Sequence, residues 1–119
     1  MCKLFINADT ALWEPSSRSV RIQGMVTSIR LEHHFWSVLE EIAQRDSLTM
    51  PKMLNRLYNE SLEAGHDIAN FTSFLRVCAM RYIGLQLVGD IPPDQAISIG
   101  SLDADTILRK EAERYRVAV

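Results

Sequence analysis

The sequence predicts a mainly α-helical fold that carries a short β-ribbon, assembled as a dimer, with additional helices toward its C-terminus. Three features predict it. Residues 25–31, MVTSIRL, alternate with period two, which puts Met25, Thr27, Ile29 and Leu31 on one face and Val26, Ser28 and Arg30 on the other. From Glu32 the period becomes helical, with Phe35, Val38, Leu39 and Ile42 at i, i+3, i+4 and i+7. A second amphipathic helix follows after a short turn, and two helices cannot satisfy the backbone of a strand that has no partner. A second copy of the chain supplies that partner: two strands pair antiparallel across a two-fold axis, and four helices close over their apolar face.

Each element has its own signal. Residues 1–17 form an N-terminal arm, KLFI followed by a polar stretch, in which Leu12 and Trp13 should pack on something. Residues 18–23, RSVRIQ, read as a short strand with Val20 and Ile22 on one face, and Gly24 bends the chain after it. The first helix should end near Arg45–Asp46. Thr49 suits an N-cap, and Met50 and Pro51 open the second helix where proline is tolerated. Met53, Leu54, Leu57, Tyr58, Ser61 and Leu62 give its buried stripe, and Gly65 is its natural stop. Asn70 or Thr72 caps a third helix over 73–84, ended by Gly84. Residues 101–116 form a fourth helix, with Ser101 as cap and few apolar anchors, so partial docking is expected. The chain thus divides into an arm (1–17), a ribbon-and-helix domain with a third helix (18–84) and a helical extension (85–119).

Composition sets outer bounds. The 119 residues are 47% hydrophobic, enough for a packed core in one domain. No apolar run reaches the ~18–20 residues that span a bilayer, and the start has no basic-then-apolar leader pattern. The expectation is a cytoplasmic protein without membrane contact. Two cysteines, Cys2 and Cys78, are too few for a disulfide framework or a cysteine-built metal site. His33 and His34 are adjacent, so on a helix they point ~100° apart and do not share an ion. No metal and no cofactor are expected. A formal net charge of −2 argues mildly against a nucleic-acid partner. Between Pro15 and Leu31, however, there are three arginines and no acid, a basic edge on an acidic body.

The ordered set TSIRLE (27–32), FWSVLEEIA (35–43) and SLTMPKML (47–54) resembles the ribbon-helix-helix DNA-binding family, which includes the Arc and methionine repressors. FTSFLRVCAMRYI (71–83) is similar to the extra helix of one bacterial subfamily, and the resemblance covers about residues 18–84. It implies a homodimeric transcriptional regulator that lays an intermolecular ribbon in the major groove of double-stranded DNA. It places Val26, Ser28 and Arg30 against base edges, and Thr27, Ile29 and Leu31 against the helices. It also puts a phosphate at the start of the second helix, at Thr49 and Met50 with Lys52 alongside. Pro51 departs from that pattern, because proline has no N–H to donate. Arginine reads guanine bidentately, serine bonds several bases, and valine meets a thymine methyl. Arg18 and Arg21 add phosphate contacts if their strand lies near the groove. Dimers pairing into a tetramer on DNA, and a protein partner held by the C-terminal extension, stay open.

Two other readings compete. In one, the same fold is a dimerisation module that binds a protein partner and reads no DNA. In the other, Cys2 is an N-terminal nucleophile, but no glycine-rich oxyanion segment follows it, and the non-enzymatic reading is preferred.

Overall fold

The structure is a computed structural model and describes residues 2–116. A short helix α1 (Cys2–Ile6) and a 3-10 turn (Thr10–Trp13) lead into two strands, β1 (Pro15–Ile22) and β2 (Met25–Glu32). Four longer helices follow: α2 (His33–Arg45), α3 (Met50–Glu63), α4 (Phe71–Leu87) and α5 (Ala104–Arg114).

The strand that lacked a partner in the sequence has one in its own chain. β1 and β2 pair antiparallel, with Ile22 opposite Met25 and Pro15 opposite Glu32. β2 therefore has an antiparallel partner along one edge within its own chain. The reason is local. Gln23 and Gly24 both take positive φ, 52° and 81°, the backbone that a tight two-residue hairpin needs to match strand twist. So short a loop brings the partner strand in at little entropic cost. β1 also begins at Pro15, three residues ahead of the expected Arg18, so the end of the arm belongs to the ribbon.

Alternation then decides which side meets the helices. Val20, Ile22, Ile29 and Leu31 are buried on the inner face. Above them lie Trp36, Leu39 and Ala43 of α2, Met53 and Leu54 of α3, and Leu75 and Ala79 of α4, in one core cluster. The Trp36 ring is fully buried, and its indole N–H donates to Ser16 O at 3.0 Å.

The helix ends follow their caps. Thr49 Oγ1 accepts from Lys52 N at 3.4 Å, and α3 ends just before Gly65 at φ 78°. Asn70 Oδ1 accepts from Ser73 N at 3.2 Å, which starts α4 at Phe71. Gly84 does not stop α4; it sits inside the helix, which closes at Val88. α5 is capped by Asp103, not Ser101, through a bond from Thr106 N at 3.2 Å.

The extension is docked more firmly than its sequence suggests. Tyr82, Leu85 and Ile91 form a second cluster with Ile99, Leu102 and Ile107 against Val38 and Ile42. Arg81 pairs with Glu111 at 2.6 Å, and Asp90 pairs with both Lys110 (3.2 Å) and Arg114 (3.1 Å). α4 is apolar on two sides: Val77, Met80, Ile83 and Leu87 point outward and are exposed.

Candidate nucleic-acid interface

The outer face of the ribbon is the candidate surface. The register sets three cross-strand pairs on it: Ser17 opposite Arg30, Ser19 opposite Ser28, and Arg21 opposite Val26. All six residues are exposed. The Ser19 and Ser28 hydroxyls lie between the two guanidinium groups, with Ser17 across from Arg30 and Val26 across from Arg21 beside the turn. Arg21 Nη1 donates to Gly24 O at 3.2 Å, which holds that side chain along the hairpin tip. Among the described residues neither Arg21 nor Arg30 is in an ion pair.

Glu32 is the only carboxylate on either strand. It accepts a two-pronged bond from Arg76 of α4, at 2.9 Å from Nε and 3.1 Å from Nη2. Those bonds hold its carboxyl below the usual glutamate range. Glu32 has the outer parity of Val26, Ser28 and Arg30, so the one acid at the end of that face is paired with an arginine of α4.

The structure separates the two arginines of β1. Arg18 lies on the inner parity, opposite Ile29, with its guanidinium 4.6 Å from the Trp36 ring centroid and 3.2 Å from Glu40. It faces the helices and is engaged there. Arg21, expected only as a phosphate contact, shares the outer face with Val26, Ser28 and Arg30.

The first turn of α3 flanks the β1 edge. Thr49 and Lys52 are exposed and Met50 is half-buried. The Lys52 N–H is taken by Thr49 Oγ1 and Pro51 has none, so few backbone donors remain for a phosphate. The Lys52 ammonium and the positive end of the helix are what that turn offers an anion.

Asn55 fixes α3 to the ribbon. Its amide donates to Arg21 O and to Pro51 O, and its Oδ1 accepts from Gln23 N at 3.3 Å. One side chain therefore ties the strand edge to the helix start. Sequence reasoning missed Asn55, and it missed Ser17 and Ser19. The alternation of Ser17, Ser19 and Arg21 against Arg18, Val20 and Ile22 was the available signal. Asn55 had none, because its partners on the ribbon, Arg21 O and Gln23 N, are backbone atoms more than thirty residues away.

A family model described as "Ribbon-helix-helix domain" matches residues 15–83, more than half of the chain. The chain belongs to the ribbon-helix-helix family. No curated protein matches it. A solved structure of an uncharacterized protein from Bordetella pertussis Tohama I is similar over nearly the whole chain. The TM-score is 0.87 at 46% sequence identity, covering 99% of this chain and 95% of that one. The family match begins at the first residue of β1, so both strands of the ribbon lie within it.

Proposed function

We propose that this ribbon-helix-helix protein is a sequence-specific transcriptional regulator that binds double-stranded DNA through the outer face of its ribbon. The observation that carries this is the exposed outer face with Arg21 and Arg30 toward its two ends, on which the one carboxylate of the strands, Glu32, is paired with Arg76. Arg30 makes bidentate contact with guanine, Ser28 bonds a neighbouring base edge, and Val26 covers a thymine methyl. Lys52, with Thr49 and Met50 at the start of α3, meets a flanking phosphate. Arg18 has no part in this, being held against Trp36 and Glu40. Family members generally bind DNA as dimers, and the reading unit on DNA is a homodimer whose ribbon takes strands from both copies. No helix among the described residues is long and apolar enough to cross a membrane, in keeping with a cytoplasmic regulator.

The test is binding to genomic fragments from the source organism by fluorescence anisotropy, across a salt series, for wild type and Arg30→Ala. The expected log–log slope is about −0.9 per phosphate neutralised. Arg30→Ala should lose ~1–3 kcal/mol of discrimination between preferred and random fragments. A folded protein with no salt-sensitive binding at low salt would defeat the proposal.

A second reading, a dimerisation module without DNA binding, has one observation in its favour. Val77, Met80, Gly84 and Leu87 repeat at alternating intervals of three and four along the outward side of α4, the spacing of a helix–helix seam. A second copy of α4 is the occupant that spacing suits. A folded dimer that ignores DNA in the same experiment supports this reading.

A further inference from the structure

We propose that the N-terminal arm crosses to the second copy of the chain and caps its hairpin tip, with Leu12 and Trp13 covering the partner's Met25. This rests on the homodimer above and not on DNA binding, so it is tested without DNA.

The arm is apolar and exposed. Residues 2–14 precede the family match. No residue of α1 or of the 3-10 turn is buried. Leu4, Phe5, Ile6, Leu12 and Trp13 are all exposed, Trp13 to 50%. Five large apolar side chains in one short segment form the kind of patch that marks an interaction site. The end of the arm is nonetheless anchored. His33 N donates to Glu14 O at 3.0 Å, which ties it to the start of α2, beside the Glu32 end of the ribbon. The 3-10 turn packs on α2, so the arm lies on the helix side of the ribbon.

The other end of the ribbon has a complementary gap. Ile29 and Leu31 of the inner face are buried, yet Met25, of the same parity, is 73% exposed. Beside it is a groove of about 420 Å³, lined by Ile22, Met25 and Ile29 with Tyr58, Ile68 and Phe71. Tyr58 and Phe71 meet edge to face, 5.4 Å between centroids, and both are half-buried. Met25 and Glu32 are seven residues apart on β2, about 24 Å at ~3.4 Å per residue. The anchored end of the arm and the groove of one chain are therefore at opposite ends of its ribbon.

A second copy brings them together. The two-residue hairpin turns the backbone groups of Val26, Ser28 and Arg30 away from β1, which leaves that edge of β2 for the strand of the other copy. An antiparallel pairing with its two-fold axis at Ser28, the middle of those three, sets Leu31 opposite the partner's Met25 and Glu32 opposite the partner's Gly24. Pro15, across from Glu32, then lies two strands from that tip, about 10 Å at ~4.8 Å per strand. About three extended residues span that distance, and Leu12 is three residues ahead of Pro15. The contact continues the interface made by the ribbon itself, and the two-fold axis makes it twice, one arm on each tip.

The test is cross-linking of the full-length chain carrying Ala11→Cys and Met25→Cys, in a Cys2→Ser and Cys78→Ala background, with a short bismaleimide. Leu12 and Trp13 stay in place, and circular dichroism should show the variants folded, since Ala11 and Met25 are both exposed. The expected product is a covalent dimer. Neither single variant should give one, because the two-fold axis holds like positions at opposite ends of the sheet. In sedimentation, Leu12→Ser with Trp13→Ser should raise the dimer dissociation constant tenfold or more. Met25→Ser should add little on top of that pair, because the contact is shared. A folded dimer whose double-cysteine chain does not cross-link overturns the inference. So does a dissociation constant that the Leu12 and Trp13 substitutions leave unchanged. Both of those outcomes leave the DNA reading standing. A wild-type chain that stays monomeric at every concentration overturns the inference together with the homodimer beneath it.

Discussion

Arg18 and Arg21 have the same chemistry and lie three residues apart, yet one is held against α2 and the other faces solvent. An odd spacing in a strand puts two side chains on opposite faces. That assignment was legible in the sequence once the strand is taken back to Pro15, since buried Val20 and Ile22 fix the parity of the whole run. What concealed it is composition: PSSRS is rich in serine and poor in the β-branched aliphatics that announce a strand. Glu32 is a second residue whose role comes from a distant partner. Arg76 holds its carboxyl below the ordinary glutamate value. A carboxylate with a lowered folded value adds stability that is fully present above its unfolded value, near about pH 4.3. That stability is lost as pH falls through the lowered value. Wild type should therefore lose melting temperature more steeply than Arg76→Ala as pH drops from about 5 to about 3. Parallel melting profiles over that window would show that the pair contributes nothing to folding.

Among elements, the hairpin carries the main difference between sequence and structure. The alternation of β2 and the helical stripes of α2 and α3 were plain from the sequence, because each buries one face and the period survives as pattern. The pairing of β1 with β2 depended on two turn residues. Gln-Gly is a weaker hairpin signal than Asn-Gly or Asp-Gly, although it takes the same positive φ values here. Gly24 is the residue on which that turn rests. A Cβ built there meets nothing within 4 Å, so a substitution has only a backbone cost. Gly24→Ala should cost ~1–2 kcal/mol, the penalty of a left-handed conformation for an L-residue. It should also reduce DNA affinity, because the tip positions Arg21 and Val26. Chemical denaturation of both proteins checks the first part. An unchanged midpoint would mean that the turn is not strained by a side chain. The same logic explains Gly84, read from sequence as a stop. A glycine inside a helix costs about 1 kcal/mol relative to alanine, and α4 runs past it because Leu85 and Tyr82 are buried on its inner side.

At the scale of the whole molecule, the extension is joined to the core by polar side chains reaching backbone atoms about fifty residues away, which leave no periodic trace in the sequence. Arg45 at the end of α2 is almost fully buried. Its Nε donates to Ile97 O at 3.0 Å, one Nη to Asp94 O at 2.9 Å and the other to Tyr82 Oη at 3.3 Å. Next to it, Asp46 accepts from Ser98 Oγ at 2.8 Å and from Ile99 N at 2.6 Å. These contacts seat the segment that roofs an apolar cavity of about 500 Å³ between α2, α3 and α4. Arg45 is the last residue of α2, where the helix dipole favours a cation. Arg45→Met keeps most of the volume but leaves the Ile97 and Asp94 carbonyls without their donor, while Tyr82 Oη keeps the bond from Gln86 Nε2. Each buried polar group left unpaired costs ~1–3 kcal/mol, so the extension should come loose before the core does. Hydrogen exchange should then show residues 91–114 losing protection in the variant, while β2, α2 and α3 stay protected and DNA affinity holds. If protection falls together across all of these elements, core and extension unfold as one cooperative unit. The ribbon would then depend for its stability on the C-terminal third of the chain.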